Sequence, residues 1–420
     1  MILKTLANRC DTAGTEALGM GIILTIYLTL KPLYLFASGL PQISDMFMIA
    51  AAVYMLVKER GIIRIPKGSG TWIRVFVLTL VFQCAIQLFW WVKTDESEFL
   101  LVASYYVFNF IAALICVCIG RRIGPKRLKR AICEGCFWSV LVNAVGLAVN
   151  LEAGVRMKGF FNNPNQLGYY SLLAISIIAF FPDQLPKWKN GMILGLAVWA
   201  NMVSLSKAAI LGLAGLAFCY TLWGSREKTL RRALTQAFFL LAFFGAIYWL
   251  FFSDSSIVKE SKTLSQLQSR ILNLREENDS SLGIGRGYDR VWEIGGNFLW
   301  GVGEGAYDRF QVMSGREVHA TLVNVLVSYG AAGFVAYLWL MGKTMLFRGS
   351  RIRNLACFSG LFLYSLTHNG IRNTILWILL AAVLQTTGPG AEAPEPEEAA
   401  EQPVENMIRK GRSYESQNSG

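Results

Sequence analysis

"EFLLVASYYVFNFIAALICVCI" (residues 98–119) opens on a glutamate and then carries no further charge, and "GRRIGPKRLKR" (120–130) follows at once with six basic residues. A helix needs about 20 predominantly apolar residues to cross a ~30 Å hydrocarbon core. The first stretch therefore reads as a membrane span, and the second as the basic turn that stays on the cytoplasmic side.

The rest of the chain repeats this pattern. Hydrophobic residues make up 54% of the 420 and charged residues 16%, where soluble domains are about a quarter charged. The blocks predict an all-α polytopic membrane protein with about twelve transmembrane helices, at 17–37, 40–57, 71–92, 98–119, 131–151, 167–181, 190–205, 207–223, 232–252, 320–341, 355–368 and 371–387. The alternating segments of about ten residues that a membrane barrel would need are absent. The first span is too long for a signal-peptide core and lacks a small-residue cleavage site, so it reads as an uncleaved anchor. With the N-terminus inside, twenty-six Lys and Arg fall on inner segments and five on short outer loops. The net charge of +12 follows this bias and points to anionic lipid headgroups rather than nucleic acid. Both termini are then cytoplasmic.

Four regions follow: a bundle of nine spans (1–252), a long polar loop on the outer side (253–319), three C-terminal spans (320–387) and an Ala/Pro/Glu-rich tail (388–420) that reads as disordered. Loops longer than about 15 residues are usually functional or disordered. This one has helical apolar spacing at Ile257, Leu264, Leu267, Ile271 and Leu274, which predicts an amphipathic helix over 256–279. "CEGC" (133–136) opens a span without a second cysteine pair, so its cysteines read as small packing residues.

Four polar clusters share the outer face. In "RMKGFFNNPNQLG" (156–168), the Asn163 and Asn165 amides offer donors and acceptors to a hydroxyl-rich or phosphate ligand, with Arg156 and Lys158 adding positive charge. A helix N-cap loop is the alternative, since Pro164 forces a turn there. In "SLSKAAILG" (204–212), Lys207 lies near membrane depth, where a charge is either functional or snorkels to the interface. In "GRGYDRVW" (285–292), Arg286 and Arg290 are four apart. If helical, they share a face and could straddle a diphosphate; Asp289 and Glu293 could equally absorb them as ion pairs. The two histidines of the chain fall in "EVH" (317–319) and "THNGIRN" (367–373). His319 is a candidate catalytic or ligand group, with a satisfied structural histidine as the alternative. Two histidines on separate loops make a poor zinc site, so the expected chemistry uses no metal and no cofactor.

"GFFNNPNQLG", "SLSKAAILG", "GRGYDRVW…GVGEG" and "EVHATLVNVLVSYGAAGF", in this order and with this topology, resemble the O-antigen ligase and O-antigen polymerase superfamily of bacterial envelope glycosyltransferases. Two positions depart from its pattern: Lys207 stands where the family has arginine, and Ala320 where it has asparagine. The resemblance implies an inner-membrane enzyme with a periplasmic site. Its donor would be an undecaprenyl-diphosphate-linked glycan, and its acceptor another glycan or lipid A-core. It further implies that His319 acts as general base with Glu317 beside it, and that Arg286, Arg290, Lys207 and Arg372 hold the diphosphate. Asn163, Asn165, Arg156 and His368 are then candidates for binding the glycan or acceptor. Membrane lipids and a chain-length regulator protein are the expected partners. Polymerisation of repeat units into O-antigen, capsule or exopolysaccharide is the leading expectation, ahead of ligation to lipid A-core. A lipid-glycan flippase is the alternative from another class.

Overall fold

The computed structural model describes residues 19–36, 41–58, 69–150, 156–223, 286–312, 314–346 and 351–386, with isolated positions between 60 and 65 and between 241 and 269. The expected span 232–252, the amphipathic segment 256–279 and the tail 388–420 lie largely or wholly outside the described residues.

The described part is helical: α1 (Gly19–Leu30), α2 (Ile43–Lys58), α3 (Gly70–Thr94), α4 (Glu98–Ile123), α5 (Pro125–Val149), α6 (Pro164–Phe180), α7 (Lys187–Ser204), α8 (Lys207–Trp223), α9 (Thr321–Met345), α10 (Arg351–Thr367) and α11 (Thr374–Thr386). Four of them, α3, α4, α5 and α9, are long and apolar enough to cross a membrane; α1, α8 and α11 are apolar but shorter. The chain is a helical membrane protein.

α11 is the hub. Ile375 through Leu384 are all buried, as expected of a helix that is apolar all round, and it packs against α4, α5, α6 and α9. Around it the helices approach through small residues, as lipid-embedded helices do. A side chain at Gly212 or Gly360 would collide with the backbone of the other, so α8 and α10 meet backbone to backbone. The "CEGC" cysteines serve this packing. Cys133 and Cys136 are buried and point their thiols at the carbonyls of Phe181 (3.9 Å) and Ala174 (3.8 Å).

The expected first span needs correction. α1 stops at Leu30, not at 37. Pro32 disfavours helical geometry at the residue before it, and the Lys31 ammonium needs a counter-ion. It finds one in Asp45, 2.7 Å away in the first turn of α2, in a pair with side chains 9% and 10% exposed.

A second departure matters more. α9 is broken at Gly330, whose φ of 63° and ψ of −169° suit only glycine. The outer loop splices into the break. The amides of Ala331 and Ala332 donate to the carbonyls of Phe298 and Leu299 (2.9 and 3.2 Å), while Val302 and Gly303 donate to Val327 and Ser328 (3.0 and 2.8 Å). Part of the predicted surface loop is thus re-entrant, dipping beside α9 and returning. A small core of Trp90, Phe99, Ile294, Val302, Phe310, Val318, Ala320, Val323 and Val327 fastens residues 294–320 onto the ends of α3, α4 and α9.

Candidate functional site

The break in α9 delivers Glu304 to the interior, where it is 0% exposed. A lone buried carboxylate would be costly, and this one is fully engaged. Oε2 accepts from the hydroxyls of Tyr106 (2.6 Å) and Tyr329 (3.2 Å). Oε1 accepts from the Asn324 amide (2.8 Å) and from Nε and Nη2 of Arg372 (3.0 and 2.6 Å). Gln87 of α3 brackets the same residue's backbone, accepting from the Glu304 amide and donating to its carbonyl, both at 3.1 Å.

Arg372 carries the network outward. Its Nη1 lies 3.0 Å from Glu317, its Nη2 donates to the Tyr307 hydroxyl at 3.0 Å, and its carbonyl accepts from Asn109 at 3.2 Å. Burial opposes this charge, but the two carboxylates more than offset it and hold the guanidinium pKa above its usual range. The order is therefore Glu304–Arg372–Glu317, and Glu317 stands two residues before His319. The structure makes 317–320 non-helical, with buried Val318 facing the core and half-buried Glu317 and His319 flanking it.

The two histidines meet. The rings of His319 and His368 stack with centroids 6.0 Å apart and planes 11° apart. Thr321, the first residue of α9, ties the two loops together: its hydroxyl donates to the His368 carbonyl and accepts from the Gly370 amide, both at 3.0 Å. Arg286 sits at the same place, its carbonyl accepting from the His319 amide (3.3 Å) and its Nη1 donating to Thr367 O (3.4 Å). Burial, with Arg286, His319 and Arg156 nearby, pushes the His368 pKa down to about 3. His368 is neutral at physiological pH.

The "NNPNQ" cluster arrives from the other side. Tyr364, whose ring centroid is 5.1 Å from that of His368, donates its hydroxyl to Asn165 O at 3.1 Å. The Asn165 side chain accepts from Arg156 Nη2 (2.8 Å), and Arg156 Nε donates to Ser204 O (3.3 Å) in the turn before Lys207. Leu205 turns that corner with φ 49°, and Lys207, half-buried, opens α8. Asn163 takes the capping alternative: it is the N-cap of α6, accepting from the Gln166 amide at 2.9 Å.

Arg286 and Arg290 do not share a face. Gly287, with φ 77°, ends the turn at Arg286, and a 3-10 helix (Tyr288–Asn297) follows. Arg290 is 0% exposed and donates to the carbonyls of Val312 and Arg316, with its guanidinium 4.4 Å from the Phe310 ring centroid. It is buried within the loop rather than presented at a surface. It braces the loop leading to His319. Glu293 likewise caps this loop, accepting from the Gln311 and Val312 amides.

Sequence reasoning missed Gln87, Tyr106, Asn109, Asn324, Tyr329 and the Lys31–Asp45 pair. A signal existed for the helical ones: polar side chains inside spans turn toward protein rather than lipid. Gln87, Asn109 and Asn324 are each buried within long apolar helices.

Compared with known proteins, the chain matches no protein-family model and no curated relative.

Proposed function

We propose that this protein is a membrane glycosyltransferase that uses a lipid-diphosphate-linked glycan as donor, with polymerisation of the glycan as its reaction. The observation that carries the reading is convergence. Segments 156–165, 204–207, 286, 317–319 and 364–372 are far apart in sequence, and together they surround one stacked imidazole pair with two arginines and a fixed carboxylate–arginine relay. Four of these five segments carry the resemblance to the O-antigen ligase and polymerase superfamily; 364–372 lies outside its motifs.

The chemistry follows from the groups. An acceptor sugar hydroxyl attacks the anomeric carbon, the bond to the lipid diphosphate breaks with inversion, and the hydroxyl proton passes to His319. A general base is most effective with a pKa near the operating pH, as imidazole has. Arg286, Arg156 and Lys207 supply positive charge for the departing diphosphate. Arg290 and Arg372 belong to the supporting framework, which revises the sequence-based assignment of both. Glu317, held by Arg372, stands two residues from His319 in the same non-helical stretch.

Orientation supports an extracytoplasmic site. The basic turn 120–130 caps the ends of α4 and α5, and Glu304 approaches the opposite end of α4, where a Cβ on Gly303 would press against Phe99. α4 has 26 residues, about 39 Å of helix at ~1.5 Å per residue. If Lys and Arg mark the cytoplasmic face, the site opens on the other. All these polar groups gather at one face, which favours an enzyme over a flippase.

Electrophoresis of surface glycan from a deletion strain tests the reading. Lipid A-core bearing one repeat unit identifies a polymerase, whereas polymer retained on the lipid carrier identifies a ligase. Complementation with His319→Ala is expected to leave the protein in the membrane and abolish long polymer; normal chain length would overturn the role of His319.

A further inference from the structure

The re-entrant segment has two sides, and the catalytic reading uses only one. Toward the interior it presents Glu304. Away from the interior it presents Phe298, Leu299 and Trp300, which are 54%, 51% and 54% exposed. Contiguous large apolar side chains on a surface mark an interaction site, and depth decides with what.

Two independent markers give that depth. Trp300 packs against Phe82, with ring centroids 6.1 Å apart. Phe82 stands twelve residues from either end of α3, at its midpoint. Phe298 and Leu299 are bonded to Ala331 and Ala332, which lie ten and eleven residues past Thr321 in the 25-residue α9, about 15 Å along the axis at ~1.5 Å per residue. Both helices are long enough to span a membrane. The three side chains therefore lie at the level of the hydrocarbon, beside helix faces whose own exposed residues are apolar: Leu78 and Val81 on α3, Val335 and Leu338 on α9.

Irregular backbone is tolerated at such depth only when its polar groups are satisfied by protein. Here they are. Trp300 and Gly301 donate to Asn297 O (3.1 and 2.7 Å), Val302 and Gly303 donate to the broken helix, and the carbonyls of Phe298 and Leu299 accept from it. The side chains of Phe298, Leu299 and Trp300 face outward.

We propose that Phe298–Trp300 form a hook seated among the phospholipid acyl chains of the leaflet on the site's side, so that the bilayer itself holds down the loop carrying Glu304. The hook is continuous with the apolar faces of α3 and α9, and this continuity identifies phospholipid, rather than a second copy of the chain, as its occupant.

A photo-crosslinking benzophenone amino acid at position 299 tests this in full-length protein, reconstituted in nanodiscs of phosphatidylethanolamine and phosphatidylglycerol. The expected product on illumination is a covalent phospholipid adduct, in a yield comparable to that of the same probe at Val335, which is 64% exposed on α9. Placing the probe at Phe298, an aromatic-for-aromatic change, guards against a local folding defect at 299. Absence of phospholipid adducts at both positions while Val335 yields them overturns the proposal, as does crosslinking between two copies of the chain.

Discussion

His368 and His319 are the two histidines of the chain, and their environments separate their roles. His368 is buried beside Arg286, His319 and Arg156, and its pKa sits near 3, well below the ordinary 6.5. The folded protein thus keeps it neutral across a range in which the unfolded chain would protonate it. The unfolded state then binds more protons, so stability is complete above pH 6.5 and declines as pH falls toward 3. Acidification from pH 7 to 5 should cost on the order of 1–2 kcal/mol through this residue. In thermal unfolding scans, His368→Gln should flatten that acid dependence. Glu304 and Arg372 make a second residue-scale case. Removing one partner of a buried pair strands the other, at a cost of roughly 3–5 kcal/mol, whereas replacing both with apolar groups costs far less. Glu304→Leu and Arg372→Met should each lower the melting temperature sharply, and the double variant should recover part of the loss. Additive losses would show that the two do not act as a pair.

At the scale of elements, α9 shows what sequence could and could not convey. Its span was legible from the apolar run 320–341 because burial in lipid demands such a run. Its break was not, since "SYGAAG" (328–333) also suits an unbroken helix packed through glycines. The break is stable only because "NFLWGVG" (297–303), remote in sequence, satisfies the interrupted hydrogen bonds. Similarly, "GVGEG" was legible as a glycine turn, but the burial of its glutamate depends on Gln87, Tyr106, Asn324 and Tyr329 from three other helices. The asparagine motif gave up its cap at Asn163, whereas the partnership of Asn165 with Arg156 needed the fold. The splice yields a contrast between glycines. At Gly330 an added Cβ would overlap the backbone of Leu299 and Trp300, and φ is positive; at Gly342, within the same helix, nothing lies within 4 Å. Gly330→Ala should destabilise the protein by at least 1–3 kcal/mol, the typical cost of such backbone strain, and depress glycan synthesis. Gly342→Ala should be neutral or slightly stabilising. Thermal stability in detergent, read beside polymer length in cells, checks both.

For the whole molecule, the donor that can reach the site depends on which end of the bundle faces the cytoplasm. Every group placed at the site, from Arg156 to Arg372, lies toward the ends of the helices opposite the basic turn at 120–130. This turn and the Glu134–Lys189 pair, 2.6 Å apart between the first half of α5 and the start of α7, lie toward the other end. A lipid-diphosphate donor presented outside the cell's reducing, nucleotide-rich compartment requires the site end to be extracytoplasmic. Two reporter fusions decide this. Alkaline phosphatase, active only after export, should be highly active when joined after residue 158 and inactive when joined after residue 124. The reverse pattern would place His319 in the cytoplasm and remove the physical basis for the proposed donor, since nucleotide-linked sugars would then be the accessible substrates. The expected pattern would leave the donor reading standing and would assign the basic turn, with Arg121, Arg122, Lys126, Arg127 and Arg130, to the anionic headgroups of the inner leaflet. The protein would then be held by different physics at two depths: by charge at the cytoplasmic end of α4, and by the apolar hook at the level of the hydrocarbon.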